Sequence, residues 1–319
     1  MMHITHAIRR TMPPSNRADA GGMPQLVEWL ITAQQEAGHA THVIAAPPSK
    51  NAESSYTVSS PSRWDRDGIE DALPSQTDIL HLHGEDHQLF HNQDPLPVPV
   101  VTTVHGNLIG ERDPLINPVF VSKNHCERHD GRAFVRNGLP LDDFPCTKSR
   151  RTGLLFLGKL RRSKKGAKTA IRVARRAGKT ITLAGHPTWK IPASRCPWWP
   201  GIRSVGAVTG RAKLDLLQSS CALLVPAQWD EPFGLVLIEA MACGTPVIGT
   251  NRGALPEIIE HGRTGFICRT EEEMVEAIDA LDQLSPQACR EHVERHFDIR
   301  RVCADYETLY RRAIAGERW

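Results

Sequence analysis

Glu231-Pro-Phe-Gly-Leu-Val-Leu-Ile-Glu239, running on as Ala240-Met-Ala-Cys-Gly-Thr-Pro-Val-Ile248, is the stretch from which the rest of the chain is read. Pro232 suits a first helical turn and Gly234 lets another group approach the backbone closely, so together they mark a turn that opens a helix. Leu235, Val236, Leu237, Ile238 and Met241 give that helix an apolar surface nearly all round, the pattern of a buried helix. Gly244 is placed to cap its end, and Pro246-Val-Ile-Gly249 reads as a short buried strand. The start of such a helix offers unpaired N–H groups and the positive end of its dipole, which favours an anion such as a phosphate. Glu231 stands just before that end. Glu239, about two turns further on, is placed to return to the same cleft.

The wording of these eighteen residues resembles, at almost every position, the E-x7-E signature of retaining glycosyltransferases of family 4, which have the GT-B fold. The resemblance implies an α/β protein of two Rossmann-like domains facing each other across a cleft, its C-terminal helix crossing back to the first domain. It also implies hexosyl transfer from a nucleotide-diphosphate sugar to an acceptor, with retention at the anomeric carbon. No metal and no cofactor are implied, the donor being a substrate.

Working outward, 319 residues suit two domains of about 150 each. The expected division is 1–145, an acceptor-side domain; 146–296, a nucleotide-sugar-binding domain; and 297–319, the returning helix. Composition is that of an ordinary α/β protein, 40% hydrophobic and 24% charged. No run of eighteen apolar residues exists, and the N-terminus lacks the order of a signal peptide. The eight cysteines are scattered without a C-x-x-C pair, which argues against a zinc site or disulfide framework and for reduced thiols in the cytoplasm.

The net charge of +3 hides an asymmetry. Phe144 to Leu214 holds eighteen of the 39 Lys and Arg and not one Asp or Glu. So cationic a segment implies an anionic partner: a nucleotide diphosphate, an acidic membrane surface or nucleic acid. Within it, strand Gly153–Gly158 runs into the basic loop Lys159-Leu-Arg-Arg-Ser-Lys-Lys-Gly166 and helix 167–177. The resemblance places Lys159 and Lys165 where the family has an Arg and a Lys holding the diphosphate. Lysine at 159 keeps the charge but loses the bidentate fork, and Arg161 or Arg162 is placed to compensate.

The first half alternates strands and helices. His3–Ile8 is a strand, Met23–Ala37 a helix with Leu26, Leu30 and Ala33 on one face, and Thr41–Ala46 the next strand. Gly21-Gly22 before that helix matches the family's loop against the donor phosphates. Residues 47–76 read as loop, and Asp65-Arg-Asp67 within them, a formal Asp-x-Asp metal motif, follows no apolar strand and reads as solvated. Asp78–His83 is a strand. His81, His83, His87 and His91 invite a metal reading, but no second cluster completes a site. Val98–Gly106 is a β-branched strand that puts His105 at its C-terminal end, the edge where parallel sheets bind ligands. In the family this His reaches the donor sugar.

In the second half, Thr180–Gly185, Ile202–Val208 and Cys221–Val225 are strands, and Arg211–Ser219 is a helix. By resemblance the ends of the first two border the nucleotide base, and Gly185, Phe233, Gly234, Leu235 and Glu239 contact the donor. Glu239 would hold the ribose hydroxyls, Glu231 the sugar hydroxyls, and His105, Lys159 and Lys165 would complete the catalytic set. Trp198 and Trp199 read as core filling, with stacking on a base or acceptor as the alternative. Helices are expected over Glu272–Leu284 and Phe297–Ala313.

The partners implied are a nucleotide-sugar donor and a sugar, lipid-linked or small-molecule acceptor. A peripheral contact of helix 167–177 with the inner face of the membrane stays open. The competing readings are a non-catalytic nucleotide-sugar binder of the same fold, a dinucleotide-dependent oxidoreductase, and a nucleic-acid binder. The second lacks a G-x-G-x-x-G after any strand, and the third lacks an RNA motif or helix-turn-helix signature.

Overall fold

The computed structural model describes residues 1–10, 22–46, 56–84, 96–108, 115–147, 151–195 and 200–319. Among them the strands are β1 (His3–Ile8), β2 (Ala40–Ala45), β3 (Thr57–Ser59), β4 (Ile79–His83), β5 (Val100–Val104), β6 (Pro118–Phe120), β7 (Leu154–Leu157), β8 (Ile181–Ala184), β9 (Ile202–Gly206), β10 (Ala222–Val225), β11 (Val247–Thr250) and β12 (Gly265–Cys268). The helices are α1 (Gly22–Glu36), α2 (Arg66–Ala72), α3 (Lys123–Glu127), α4 (Ala167–Arg176), α5 (Gly210–Ser219), α6 (Leu235–Ala242), α7 (Leu255–Ile258), α8 (Glu271–Asp279), α9 (Pro286–His296) and α10 (Ile299–Ile314).

The strands form two six-stranded parallel sheets, ordered β3-β2-β1-β4-β5-β6 and β12-β11-β10-β7-β8-β9. Numbered within its own sheet, each follows the doubly wound order 3-2-1-4-5-6, which reverses between its first and fourth strands. Such strands are buried on both faces and read as continuous apolar runs, as Leu154–Leu157 and Ala222–Val225 do.

The chain divides into one unit of Met1–Gly138 with Ile299–Trp319 and a second of Leu139–Asp298. The first boundary falls earlier than the expected 145/146. Leu139 donates its N–H to the carbonyl of Phe297 at 3.0 Å, and Arg290 on α9 donates to the carbonyl of Leu141 at 3.2 Å, so residues from 139 onward are held by the second unit. The last helix belongs to the first unit, where Tyr306 and Tyr310 of α10 are buried and hydrogen-bond into the sheet and α1.

Some elements lie outside those expected from the sequence. Residues 47–76 contain β3 and α2, and Asp65 is the N-cap of α2, accepting from Gly68 N at 2.9 Å. The second sheet gains β12, paired to β11. α9, capped by Ser285 with Pro286 in its first turn, had not been assigned.

Candidate functional site

The second unit reverses its strand order between β7 and β10, and the loops leaving the C-terminal ends of these two strands meet there. From β7 comes Gly158 to Gly166; from β10 come Pro226 to Glu231. Gly166 has φ +80, and a Cβ there would stand 1.9 Å from the carbonyl oxygen of Pro226, so only glycine permits this approach. Gln228 N donates to the carbonyl of Lys164 at 2.7 Å across the same contact.

That approach delivers Lys165. Its Nζ donates to both oxygens of Glu231, at 2.9 Å to Oε1 and 2.6 Å to Oε2. Trp229 Nε1 donates to Oε2 at 2.9 Å. Lys164 Nζ lies 3.4 Å from the centre of the Trp229 ring, a cation–π contact. Burial, then the like charges of Arg162 and Lys165, hold the Lys164 pKa below its ordinary value, with Glu231 opposing them.

Glu231 is 8% exposed, and its own backbone is fixed: Gly253 packs against it, and Ala254 N donates to its carbonyl at 2.9 Å. Gly234, at φ +95, is the N-cap of α6 and makes no side-chain cap hydrogen bond. A Cβ at Gly234 would sit 2.5 Å from Leu237 Cδ1. Leu235 and Val236 open the helix half-buried. At its far end Thr245 N donates to Ala240 O and Gly244 N to Met241 O, the Schellman arrangement that Gly244 was expected to supply.

Glu239 is 3% exposed and answers a different cation. Lys213 Nζ, from α5, donates to its Oε1 at 2.6 Å. The two glutamates of the motif are therefore each neutralised by a lysine, Lys165 for one and Lys213 for the other. Neither Lys213 nor Trp229 was singled out in the sequence. Lys213 counted only as one of eighteen cations, because nothing local ties α5 to α6.

The remaining expected residues divide. Lys159 lies two residues past the end of β7 and is exposed, and its carbonyl accepts from Arg162 N at 3.0 Å. Gly185 follows β8, where a Cβ would meet the carbonyl oxygen of Gly158 at 2.1 Å; its smallness lets the β7 and β8 ends close up. The Phe233 side chain is 2% exposed and packs edge-on to Phe297, so it is a core ring. Gly22 is the first residue of α1 and is exposed. Gly21, His87, His91, Trp198 and Trp199 lie outside the described residues. On α4, Arg172 is bonded to Glu271 and Arg176 pairs with Glu272 at 2.8 Å, so α8 neutralises two of the cations offered for a membrane contact.

His105 follows β5 in the first unit and is half-buried. Its Nε2 lies 3.2 Å from His83 Nδ1, and the backbone just beyond it is fixed by His125, whose Nε2 donates to the carbonyl of Gly106 at 3.0 Å. Desolvation, reinforced by His125 and Arg10, drives the His105 pKa below the ordinary histidine value.

The comparisons bear on this arrangement. A family model described as glycosyl transferases group 1 matches residues 151–283, which takes in Lys165, Lys213, Glu231 and Glu239. N-acetyl-alpha-D-glucosaminyl L-malate synthase of Bacillus anthracis is 38% identical over 104 residues, 30% of this chain and 27% of that protein. Glycogen synthase of Mycobacterium tuberculosis is 33% identical over 205 residues, 58% of this chain and 49% of that protein. The chain thus spans less than half the length of either relative. Among solved structures, AviGT4, a glycosyltransferase involved in avilamycin A biosynthesis, superposes with a TM-score of 0.81 at 22% identity, each chain covered fully. Anabaena Alr3699/HepE, solved with UDP and glucose, gives 0.71 at 14% identity, with 97% of this chain and 99% of that chain covered. At such identities these likenesses show the fold, and the fold is that of the GT-B glycosyltransferases.

Proposed function

We propose that the protein is a retaining glycosyltransferase that moves a hexosyl group from a nucleotide-diphosphate sugar to a sugar, lipid-linked or small-molecule acceptor, without a metal. The observation that carries this reading is the Lys165–Glu231 pair beside the uncapped start of α6, at the strand-order reversal of the second sheet. A cation and a carboxylate held together suit a ligand that carries both an anionic phosphate and hydroxyl groups. The family match over residues 151–283 and the neighbour solved with UDP and glucose support the same reading.

In this mechanism the C1–O bond to the diphosphate breaks while an acceptor oxygen bonds to C1 from the same face. The acceptor's proton passes to the departing phosphate oxygen. Charge grows on the diphosphate, and fixed donors aimed at it lower the barrier. Lys165, Lys159 and the N–H groups at Gly234–Leu235 are assigned that task. Glu231 is assigned to the sugar hydroxyls, Glu239 to the ribose hydroxyls, and His105 to contact with the transferred sugar. Among the described residues no helix is long and apolar enough to cross a membrane, and the described cysteines are free thiols. A cytoplasmic placement, with any peripheral membrane contact, stays part of the proposal.

The test is donor turnover. Incubation with UDP-, GDP-, ADP- and TDP-sugars, with and without chelator, should release nucleoside diphosphate from one of them, chelator notwithstanding. Glu231→Gln should lower that release by about 10²-fold, the scale of losing one fixed polar contact to the reacting group. A variant as active as the wild type, or no release from any donor, would overturn the assignment.

A further inference from the structure

Behind His105 the first sheet buries a line of polar groups that the proposed chemistry does not otherwise use. From His105 Nε2 it passes to His83 Nδ1 at 3.2 Å, from His83 Nε2 to His6 Nδ1 at 2.9 Å, and from His6 Nε2 to Gln34 Oε1 at 2.7 Å. Gln34 Nε2 then donates to the Tyr310 hydroxyl at 3.0 Å, which meets His81 Nδ1 at 2.7 Å. His81 Nε2 reaches Thr103 Oγ1 at 2.6 Å, and Thr103 reaches the Tyr306 hydroxyl at 2.7 Å. Parallel pairing explains the alignment. His6 is in register with His81, and His83 with Thr103, so alternate residues of β1, β4 and β5 share the face that α1 and α10 cover.

A neutral imidazole has one N–H and one bare nitrogen, so a line of imidazoles has a sense, and its end sets that sense. The Gln34 carbonyl faces His6 and can only accept, so His6 carries its proton on Nε2. His6 Nδ1 is then bare and accepts from His83 Nε2–H. His83 Nδ1 is bare in turn and accepts from His105 Nε2–H. We propose that His83, His6 and Gln34 are positioning residues that hold His105 as the neutral Nε2–H tautomer, making its Nδ1 a hydrogen-bond acceptor for a hydroxyl of the substrate. That the hydroxyl belongs to the transferred sugar rests on the function proposed above; the tautomer does not.

The other side of the line agrees. The Tyr310 hydroxyl accepts from Gln34 and donates to His81 Nδ1, leaving His81 Nε2–H to donate to Thr103. Charging His6 or His83 would put N–H groups on both of its nitrogens and set one against a neighbouring ring's N–H. Burial pushes the His6 pKa down to about 4 and holds His81 and His83 well below the ordinary value, so the line stays neutral.

His6, His81 and His83 offer ring nitrogens within 4.8 Å of one another, which raises a metal site as the rival reading. All six of those nitrogens are engaged in the hydrogen bonds above. His6 Nδ1 and His83 Nε2 are 2.9 Å apart, whereas two nitrogens on one tetrahedral zinc at ordinary bond lengths stand about 3.3 Å apart.

Two-bond proton–nitrogen correlation spectra of the histidine-labelled full chain read ring tautomers without any assay of activity. His6, His83 and His105 should each appear as neutral Nε2–H at pH 6. His105 found as Nδ1–H or as imidazolium would overturn the proposal, as would stoichiometric zinc retained after dialysis with loss of these N–H signals. His6→Phe keeps the ring and removes both nitrogens. His105 should then lose its single tautomer, and turnover should fall about tenfold with the donor KM within about twofold. Should His6→Phe fail to fold, the wild-type spectrum still decides. A wild type that turns over no donor sinks the reaction and leaves the tautomer result standing.

Discussion

In the second unit the buried polar groups at the site are charged and paired, Lys165 with Glu231 and Lys213 with Glu239, whereas in the first unit they are neutral and run in series from His105 to Tyr306. The two designs fail differently. A charge pair loses everything when one partner goes, because the other is left desolvated. A neutral series loses one hydrogen bond at a cut, but it cannot take up a proton without conflict.

The largest effect should therefore come from Lys213→Met. It leaves a carboxylate that is 3% exposed without its cation, a loss of about 3–5 kcal/mol on the scale of broken buried pairs. Urea unfolding of the variant, and of Lys213→Met with Glu239→Gln, checks this, since the double variant should recover most of the loss. Equal stabilities in the two would break the comparison.

Acid comes next and should act on the first unit. His6 is neutral in the fold down to about pH 4, while an unfolded histidine takes up its proton near 6.5. The unfolded chain thus binds more protons between these values. Stability is full above pH 6.5 and falls as pH drops toward 4, by about 3 kcal/mol from His6 alone. Hydrogen exchange followed from pH 7 to 4 should show β1 and β4 losing protection before β7 and β10. The reverse order would contradict the neutral series.

The smallest effect is expected at Gly234→Ala. A left-handed Cβ costs about 1–2 kcal/mol, and its contact with Leu237 Cδ1 adds to that. The melting temperature should drop by a few degrees, about 2–4 °C per kcal/mol for a unit of this size. An unchanged melting temperature would mean that the turn has another conformation open to it.

The same contrast explains what could be seen in the sequence. The charged site was legible because its parts are local: Gly234, Glu231 and Glu239 lie within one turn and one helix, and Lys165 lies in a loop bounded by a strand and Gly166. Its partners Trp229 and Lys213 were not, since a loop's fold-back and the packing of α5 on α6 set them. The histidine line was invisible for a stronger reason. His81 and His83 alternate on one strand, but His6, Gln34, Thr103, Tyr306 and Tyr310 reach them only through strand register and helix docking. α9 escaped because just two of its residues, Cys289 and Val293, are buried, too few for a periodic apolar pattern. Ser285 and Pro286 were the available signal. The earlier boundary was not legible because Leu139 and Leu141 are tied to the second unit by Phe297 and Arg290, residues about 150 positions away in the sequence.

The central claim is that Lys165, beside Glu231 and the start of α6, grips a nucleotide diphosphate. Its direct test is the melting temperature of the wild type and Lys165→Met against UDP, GDP, ADP and TDP, each as the free diphosphate. One of them should stabilise the wild type by about 2.7 kcal/mol at a hundred times its Kd, and the variant should need at least tenfold more ligand for the same rise. Equal shifts in the two proteins, or none with any of the four, would contradict the account.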